Sequence, residues 1–251
     1  MTRASTFVAM NTTAAEHPVR ARLGRWPDRA DVAHLVLLDH HMVPDRDHVE
    51  SWLADGRAQG ATTLRTGALF PDSTPAFLAA GFEVIDTLSL LELDLLELDL
   101  REGAPDRTPE RHVARLRRLR PSQLDEAAAV DQRAFPAPWA NTAAALRDIV
   151  SATPRYRARC VHHDGRMVAF SISGRASTWG YVQRLAVDPS ARRRGLAHLL
   201  VVDALDWMRR RDVERVLVNT ATDNAAALAL YRSLGFVERP ERLTILERSL
   251  Q

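Results

Sequence analysis

Three strand-like segments in succession, RYRARCVHH, RMVAFSISG and WGYVQRLAV, run directly into an apolar helix, LAHLLVVDALDWM. No other stretch of the 251 residues constrains the fold as much. Asp164-Gly165 between the first two segments is a tight hairpin signal. The helix, expected from about Gly195 to Arg210, gathers Ala197, Leu200, Val201, Ala204 and Met208 on one stripe, with Asp203, Asp206 and Arg210 opposite. On either side the alternation continues. RHVARLRRL reads as a strand, and Ser122 as the N-cap of a helix with Asp125 three residues on. AFPAPWAN ends that helix, and a second, short one is expected from about Thr142 to Ser151. RVLVNT is a strand, NAAALALYRSLG a helix stopped by Gly235, and RLTILERSL a last strand. The order β-α-α-β-β-β-α-β-α-β makes an α/β (α+β) fold, a mixed sheet with helices on its faces.

REGAPDRTPE, residues 101–110, is charged and rich in Pro and Gly, and reads as a linker. It separates a smaller first domain, 19–100, from a second, 111–251, with residues 1–18 expected to be a flexible N terminus. The two parts share a weak repeat. Thr66, Phe77, Gly81 and Phe82 recur as Thr220, Tyr231, Gly235 and Phe236, since 220 − 66, 231 − 77 and 235 − 81 are all 154. The first part closes on LELDLLELDL (Leu91 to Leu100), whose strict alternation predicts one long strand with an acidic outer face.

Composition removes several function classes. The chain has no lysine, which excludes Schiff-base chemistry and a phosphate-loop lysine. A net charge of +2 provides no field for nucleic acid or an anionic membrane. The lone cysteine, Cys160, forms no internal disulfide and reads as a buried, inert thiol in a strand. No secretory signal and no apolar run of about 20 residues is visible, so a cytoplasmic protein is expected. DHHMVPDRDH (Asp39 to His48) is rich in His and Asp, but adjacent histidines rarely share one ion, and no metal site is expected.

DPSARRRGLA is harder to dismiss. Asp188-Pro189 stops the third strand, and the chain then turns through Arg192, Arg193, Arg194 and Gly195 into the helix. The first amides of a helix lack internal partners and lie at its positive end, so such a turn suits a phosphate. Neighbouring guanidinium groups add charge-assisted bonds. A pyrophosphate fits the whole arrangement.

LAVDPSARRRGLA resembles the acyl-CoA-binding segment of the GCN5-related N-acetyltransferases, Arg/Gln-x-x-Gly-x-Gly/Ala. Arg192, Gly195 and Ala197 fill its fixed places, after a strand end matched by Leu185, Val187 and Pro189. DNAAALALYRSLGF is similar to the family's Asn-x-x-Ala-x-x-x-Tyr helix with Gly-Phe behind it, through Asn224, Ala227 and Tyr231. The resemblance covers about residues 110 to 250. It implies a mixed, mostly antiparallel sheet and direct acetyl transfer from acetyl-CoA to a primary amine of a small molecule or peptide N terminus. It assigns the pantetheine arm and thioester to Leu185, Ala186 and Val187, with the Val187 N–H on the carbonyl oxygen. The pyrophosphate would go to Arg192, Arg193, Arg194, Gly195, Leu196 and Ala197. Tyr231 would be the general acid toward the departing thiolate, or else a tyrosine packed inside the helix. Asn224 is a cap, a cofactor contact or both. Many relatives carry a glutamate where this chain has Gln183; Asp131, His162 and His163 are the other candidates for the base, which stays unassigned. AFPAPW is similar to an acceptor-side loop, with Phe135 and Trp139 facing the amine or the core. The first domain lacks the arginine turn and has Phe77 in place of the tyrosine, so a degenerate, truncated copy is expected, shaping the acceptor cleft or forming a homodimer. The competing reading is a non-catalytic acyl-CoA-binding regulator.

Overall fold

The computed structural model describes residues 19–26, 29–38, 43–100, 115–137 and 139–251, with the backbone alone for 98–100. The first half contains β1 (Ala21–Trp26), β2 (Arg29–Leu37), α1 (Arg46–Ala58), β3 (Thr63–Thr66), α2 (Thr74–Ala79), β4 (Glu83–Asp94) and α3 (Leu95–Leu100). The second contains β5 (Leu116–Arg118), α4 (Leu124–Ala134), α5 (Ala143–Ser151), β6 (Arg155–His163), β7 (Arg166–Ala176) and β8 (Trp179–Val187). It continues with α6 (Leu196–Arg209), β9 (Arg215–Ala221), α7 (Ala225–Ser233) and β10 (Val237–Ser249). All ten strands form one sheet in the order β1-β2-β3-β10-β4-β9-β8-β7-β6-β5. Only β2–β3 and β8–β9 run parallel among the described pairs, so the sheet is mixed and mostly antiparallel.

The two halves exchange their last strands. β10 pairs with β3 of the first half, and β4 pairs with β9 of the second. β4 and β10 meet antiparallel, with Leu88 opposite Leu243 and Ser89 opposite Arg242. Adding 154 to Leu88 and subtracting it from Leu243 turns the first pair into the second, so a pseudo-two-fold axis passes between them. Each core is completed from the other half. Leu246 and Leu250 lie in the cluster of Leu35, Leu53, Leu64 and Phe77, while Leu91 and Leu93 lie in that of Val201, Leu205, Val216 and Phe236. Each fully buried leucine contributes about 1.5–3 kcal/mol, so neither half closes without its exchanged strand.

Helix ends repeat across the same axis. Gly81 and Gly235 both take positive φ after α2 and α7, as the left-handed end of a helix demands. Gly81 N donates to Leu78 O and Phe82 N to Phe77 O; Gly235 N donates to Arg232 O and Phe236 N to Tyr231 O. The aromatic pairs Phe77–Phe82 and Tyr231–Phe236 both meet edge to face.

Two expectations change. LELDLLELDL is strand only to Asp94, and α3 follows. β9 begins only at Arg215, opposite Asp94, so the β4–β9 ladder has no further pair there. Asp94 Oδ1 then accepts from Leu96 N and Glu97 N and caps a helix. Ser122 is not a helix cap either. Pro121 sets an earlier single 3-10 turn over residues 121–123, in which Arg120 N donates to Gln123 Oε1, and α4 starts behind it. Of RHVARLRRL only Leu116–Arg118 is a described strand; residues 111–114 and the first histidines of DHHMVPDRDH lie outside the described residues.

Candidate active site

β8 and β9 pair only from Trp179↔Arg215 to Tyr181↔Leu217. Beyond Tyr181, β8 bulges at Gln183, where the register against β7 slips between Ile172↔Arg184 and Ser173↔Val182. A bulge bends its strand away from one neighbour, and here β8 leaves β9. Asp188 N donates to Val168 O on β7. Since N–H groups alternate sides along a strand, those of Val187 and Leu185 point away from β7 into the gap.

The arginine turn lies at the end of the gap. Asp188 fixes it by accepting from Ser190 N, Ser190 Oγ and Arg133 Nε at 3.0, 2.7 and 2.6 Å. Those hydrogen bonds hold its carboxyl down at about 2. Arg193 and Gly195 then take φ of +64° and +72°. Nothing lies within 4 Å of a Cβ placed at Gly195, so backbone conformation, not crowding, makes glycine the fitting residue. Gly195 O accepts from Leu199 N and starts α6, and no side chain caps the helix. Its first amides are left for an external acceptor.

α7 faces the same gap. Asn224 accepts from Ala227 N at 3.2 Å, so it is the helix cap. Tyr231 is buried, and burial pushes its phenol above the ordinary range while the Arg184 charge opposes this. The phenol therefore carries its proton at neutral pH. Together these elements border a cleft of about 2200 Å3. Leu185, Ala186, Val187, Arg192, Arg193, Gly195, Leu196, Ala197, Asn224, Ala227 and Tyr231 line it. Arg194 does not; its Nη2 reaches Ser190 O on the outer side of the turn.

The base candidates separate. Asp131 is fully buried and ion-paired in two-pronged fashion to Arg184, with both contacts at 2.6 Å, and also accepts from Asn141 N. Its lone pairs are occupied, and its work is to hold Arg184, whose guanidinium lies 3.6 Å from the centre of the Phe135 ring. His162 sits 3.6 Å from Glu126, and His163 lies beside Asp164 at a turn; neither borders the cleft. No group of three or more metal-ligating side chains occurs among the described residues. Cys160 is buried, and burial raises its thiol.

The sequence points to a first half that shapes the cleft or dimerises, but singles out none of the residues it contributes. Arg22, Arg25, Trp26 and His34 line it from β1 and β2. Trp26 meets Trp139 edge to face at 5.8 Å, and Arg22 approaches Asp148 of α5 at 3.6 Å. Arg65 lies 4.5 Å over the Trp26 ring and pairs with Glu247. Burial, then Arg22 and Arg65, lower His34 to about 4, so it is neutral near pH 7. No local pattern announces these residues, because only the curl of the sheet brings them to the loop after α4.

Comparison with known proteins agrees with this geometry. The sequence model described as "Acetyltransferase (GNAT) family" matches residues 124–236. The [Ribosomal protein bS18]-alanine N-acetyltransferase of Escherichia coli K12 is 32% identical over 120 residues, which is 48% of this chain and 78% of that protein. A mycothiol acetyltransferase from Tsukamurella paurometabola is 30% identical over 208 residues, covering 73% of this chain and 66% of that one. Among solved structures, a tandem GNAT protein from the clavulanic acid biosynthesis pathway superposes with a TM-score of 0.64 at 19% identity. It covers 92% of this chain and 78% of its own. No helix among the described residues is long and apolar enough to cross a membrane.

Proposed function

The chain belongs to the acetyltransferase (GNAT) family and is an acetyl-CoA-dependent N-acetyltransferase; from that premise we propose that it acetylates a primary amine on a small molecule or a flexible peptide end. The observation that carries this reading is the walling of the cleft by the first half, through the Trp26–Trp139 contact. The [Ribosomal protein bS18]-alanine N-acetyltransferase matches over 120 residues, 48% of this chain, and the family model lies within 124–236, in the second half. A cleft bordered on its far side by β1 and β2 admits a slender amine and excludes a folded protein surface.

The left-handed Gly195, the uncapped start of α6 and the open edge of β8 fit a long, anionic thioester. Amides from Arg192 to Ala197 would hold its pyrophosphate, with Arg192 and Arg193 adding charge. Leu185, Ala186 and Val187 would hold its pantetheine arm along the edge of β8. Acetyl-CoA supplies an acyl carbon already activated by its thioester. The Val187 N–H would stabilise negative charge growing on the carbonyl oxygen. Tyr231 would give its proton to sulfur as the amine's lone pair forms the C–N bond and the C–S bond opens. The surplus proton on nitrogen leaves to solvent, from which the phenolate recovers one. The first half fits a degenerate copy of the same fold that shapes the acceptor cleft.

Release of CoA thiol is the test, measured across small primary amines, short peptides and a folded protein with an exposed N terminus. Small amines or peptides should turn over and the folded protein should not. Efficient turnover of the folded protein alone would overturn the proposed acceptor class.

A further inference from the structure

The bulge that parts β8 from β9 carries a buried polar atom for which the protein provides no partner. Gln183 Oε1 has no hydrogen bond among the described residues. A buried carbonyl oxygen left unpaired is costly, and native proteins seldom keep one without a role. Gln183 also lines the cleft, on the side bordered by α5 and the loop after α4. Gly174 on β7 leaves space for it. A Cβ at that position would run into Thr153 Oγ1 and stand 2.7 Å from Gln183 Oε1. Nearby, Thr153 Oγ1 donates to Arg155 O and Arg184 is held by Asp131, while the Ser173 hydroxyl on β7, likewise buried and unpaired, does not bond to it. What is missing beside Gln183 is a hydrogen-bond donor.

We propose that Gln183 Oε1 accepts an N–H from the acceptor's amine and so orients the nucleophile in the cleft. The inference rests on the reading of the cleft given above and names a group that touches the acceptor. An amide oxygen accepts from an amine without taking its proton. Gln183 is therefore an anchor and not a base, and the amine enters the reaction already neutral, having lost its proton to solvent. Occupancy by the amine also satisfies the orphaned oxygen, so the atom costs the protein least when the acceptor is bound.

Gln183→Leu keeps the bulk and removes the oxygen. Its thermal midpoint should equal or exceed the parent's, because no internal hydrogen bond is lost. Its acetyl-CoA affinity should stay within twofold, while kcat/KM for the best amine falls at least 30-fold. Gln183→Glu, which keeps an acceptor oxygen, should recover to within tenfold of the parent. Turnover by the leucine variant within threefold of the parent, or a midpoint several degrees lower, would overturn the proposal. A binding arm makes the result independent of turnover. Glycinamide is titrated into 15N-labelled protein saturated with CoA, following the Gln183 side-chain amide signal identified by its loss in Gln183→Leu. A saturable shift supports the contact, and a signal unmoved at saturating glycinamide overturns it. If no amine turns over but the signal shifts, the proposed acceptor chemistry fails while the Gln183 contact stands.

Discussion

Strand β2 stays paired with β3 along the whole of β3, from Val32↔Thr63 to Leu35↔Thr66, and Gly67 N donates to Leu35 O beyond. Strand β8 parts from β9 after Tyr181↔Leu217, with Val182 to Val187 still to run. The helices that follow these strands, the glycine caps and the aromatic pairs are alike in the two halves. What differs is that one parallel pair stays closed and the other opens. The cleft therefore arises from a strand that withdraws from its ladder and exposes its edge, with no inserted loop needed to build it. The closed half instead presents the outer faces of β1 and β2 to that opening. One half offers backbone amides and a buried phenol, and the other offers a wall.

Predictions from this contrast fall in order of size. Asp131→Asn removes the carboxylate from a buried guanidinium and should cost about 3–5 kcal/mol. A thermal or urea melt checks this, and a loss under about 1 kcal/mol would show that Arg184 is held by other means. Tyr231→Phe should lower kcat roughly 100-fold with acetyl-CoA affinity unchanged, the usual scale for losing a positioned acid. Its mirror, Phe77→Tyr, should bring no second activity, because β2 and β3 leave no gap beside it. Any gain in turnover would break the contrast.

The pH dependence comes from the wall. His34 titrates near 4 in the fold and near 6.5 when unfolded, so the unfolded chain binds more protons between those values. Stability from this group is present above about pH 6.5 and declines as pH falls toward 4, by about 3 kcal/mol in all. In His34→Phe that decline should vanish from a series of melts between pH 7 and 4. The smallest effect tests the symmetry. Gly81→Ala and Gly235→Ala each force an L residue into the left-handed region and should cost about 1 kcal/mol apiece. Equal losses in melting experiments would show that the two caps do the same work, whatever the fate of the neighbouring strands.

The sequence already shows the turn at Arg192–Gly195, the α6 stripe and the 154-residue repeat, because each is a local pattern of residue types. It does not show the strand exchange. β4 and β10 carry the same kind of alternation, and alternation says which face a strand buries without saying which neighbour it takes. The same limit hides the end of β4. The doublet LELDLLELDL has one period throughout, and only the length of β9 decides that the second copy becomes helix. Gln183 is visible as an amide in an unusual place, but its bulge and its unpaired oxygen depend on register. Trp26 is invisible because its contact across the cleft lies over 100 residues away, at Trp139, and His34 because its burial beside Trp26, Arg22 and Arg65 depends on the fold.

The central claim is that only the opened half takes acetyl-CoA. Calorimetric titration of the parent and of Gly195→Asp tests it most directly, since a carboxylate at that position opposes both the left-handed turn and a pyrophosphate. The account predicts one site per chain in the parent and at least a 100-fold loss of affinity in the variant. Two sites per chain, or binding that survives the substitution, would contradict it.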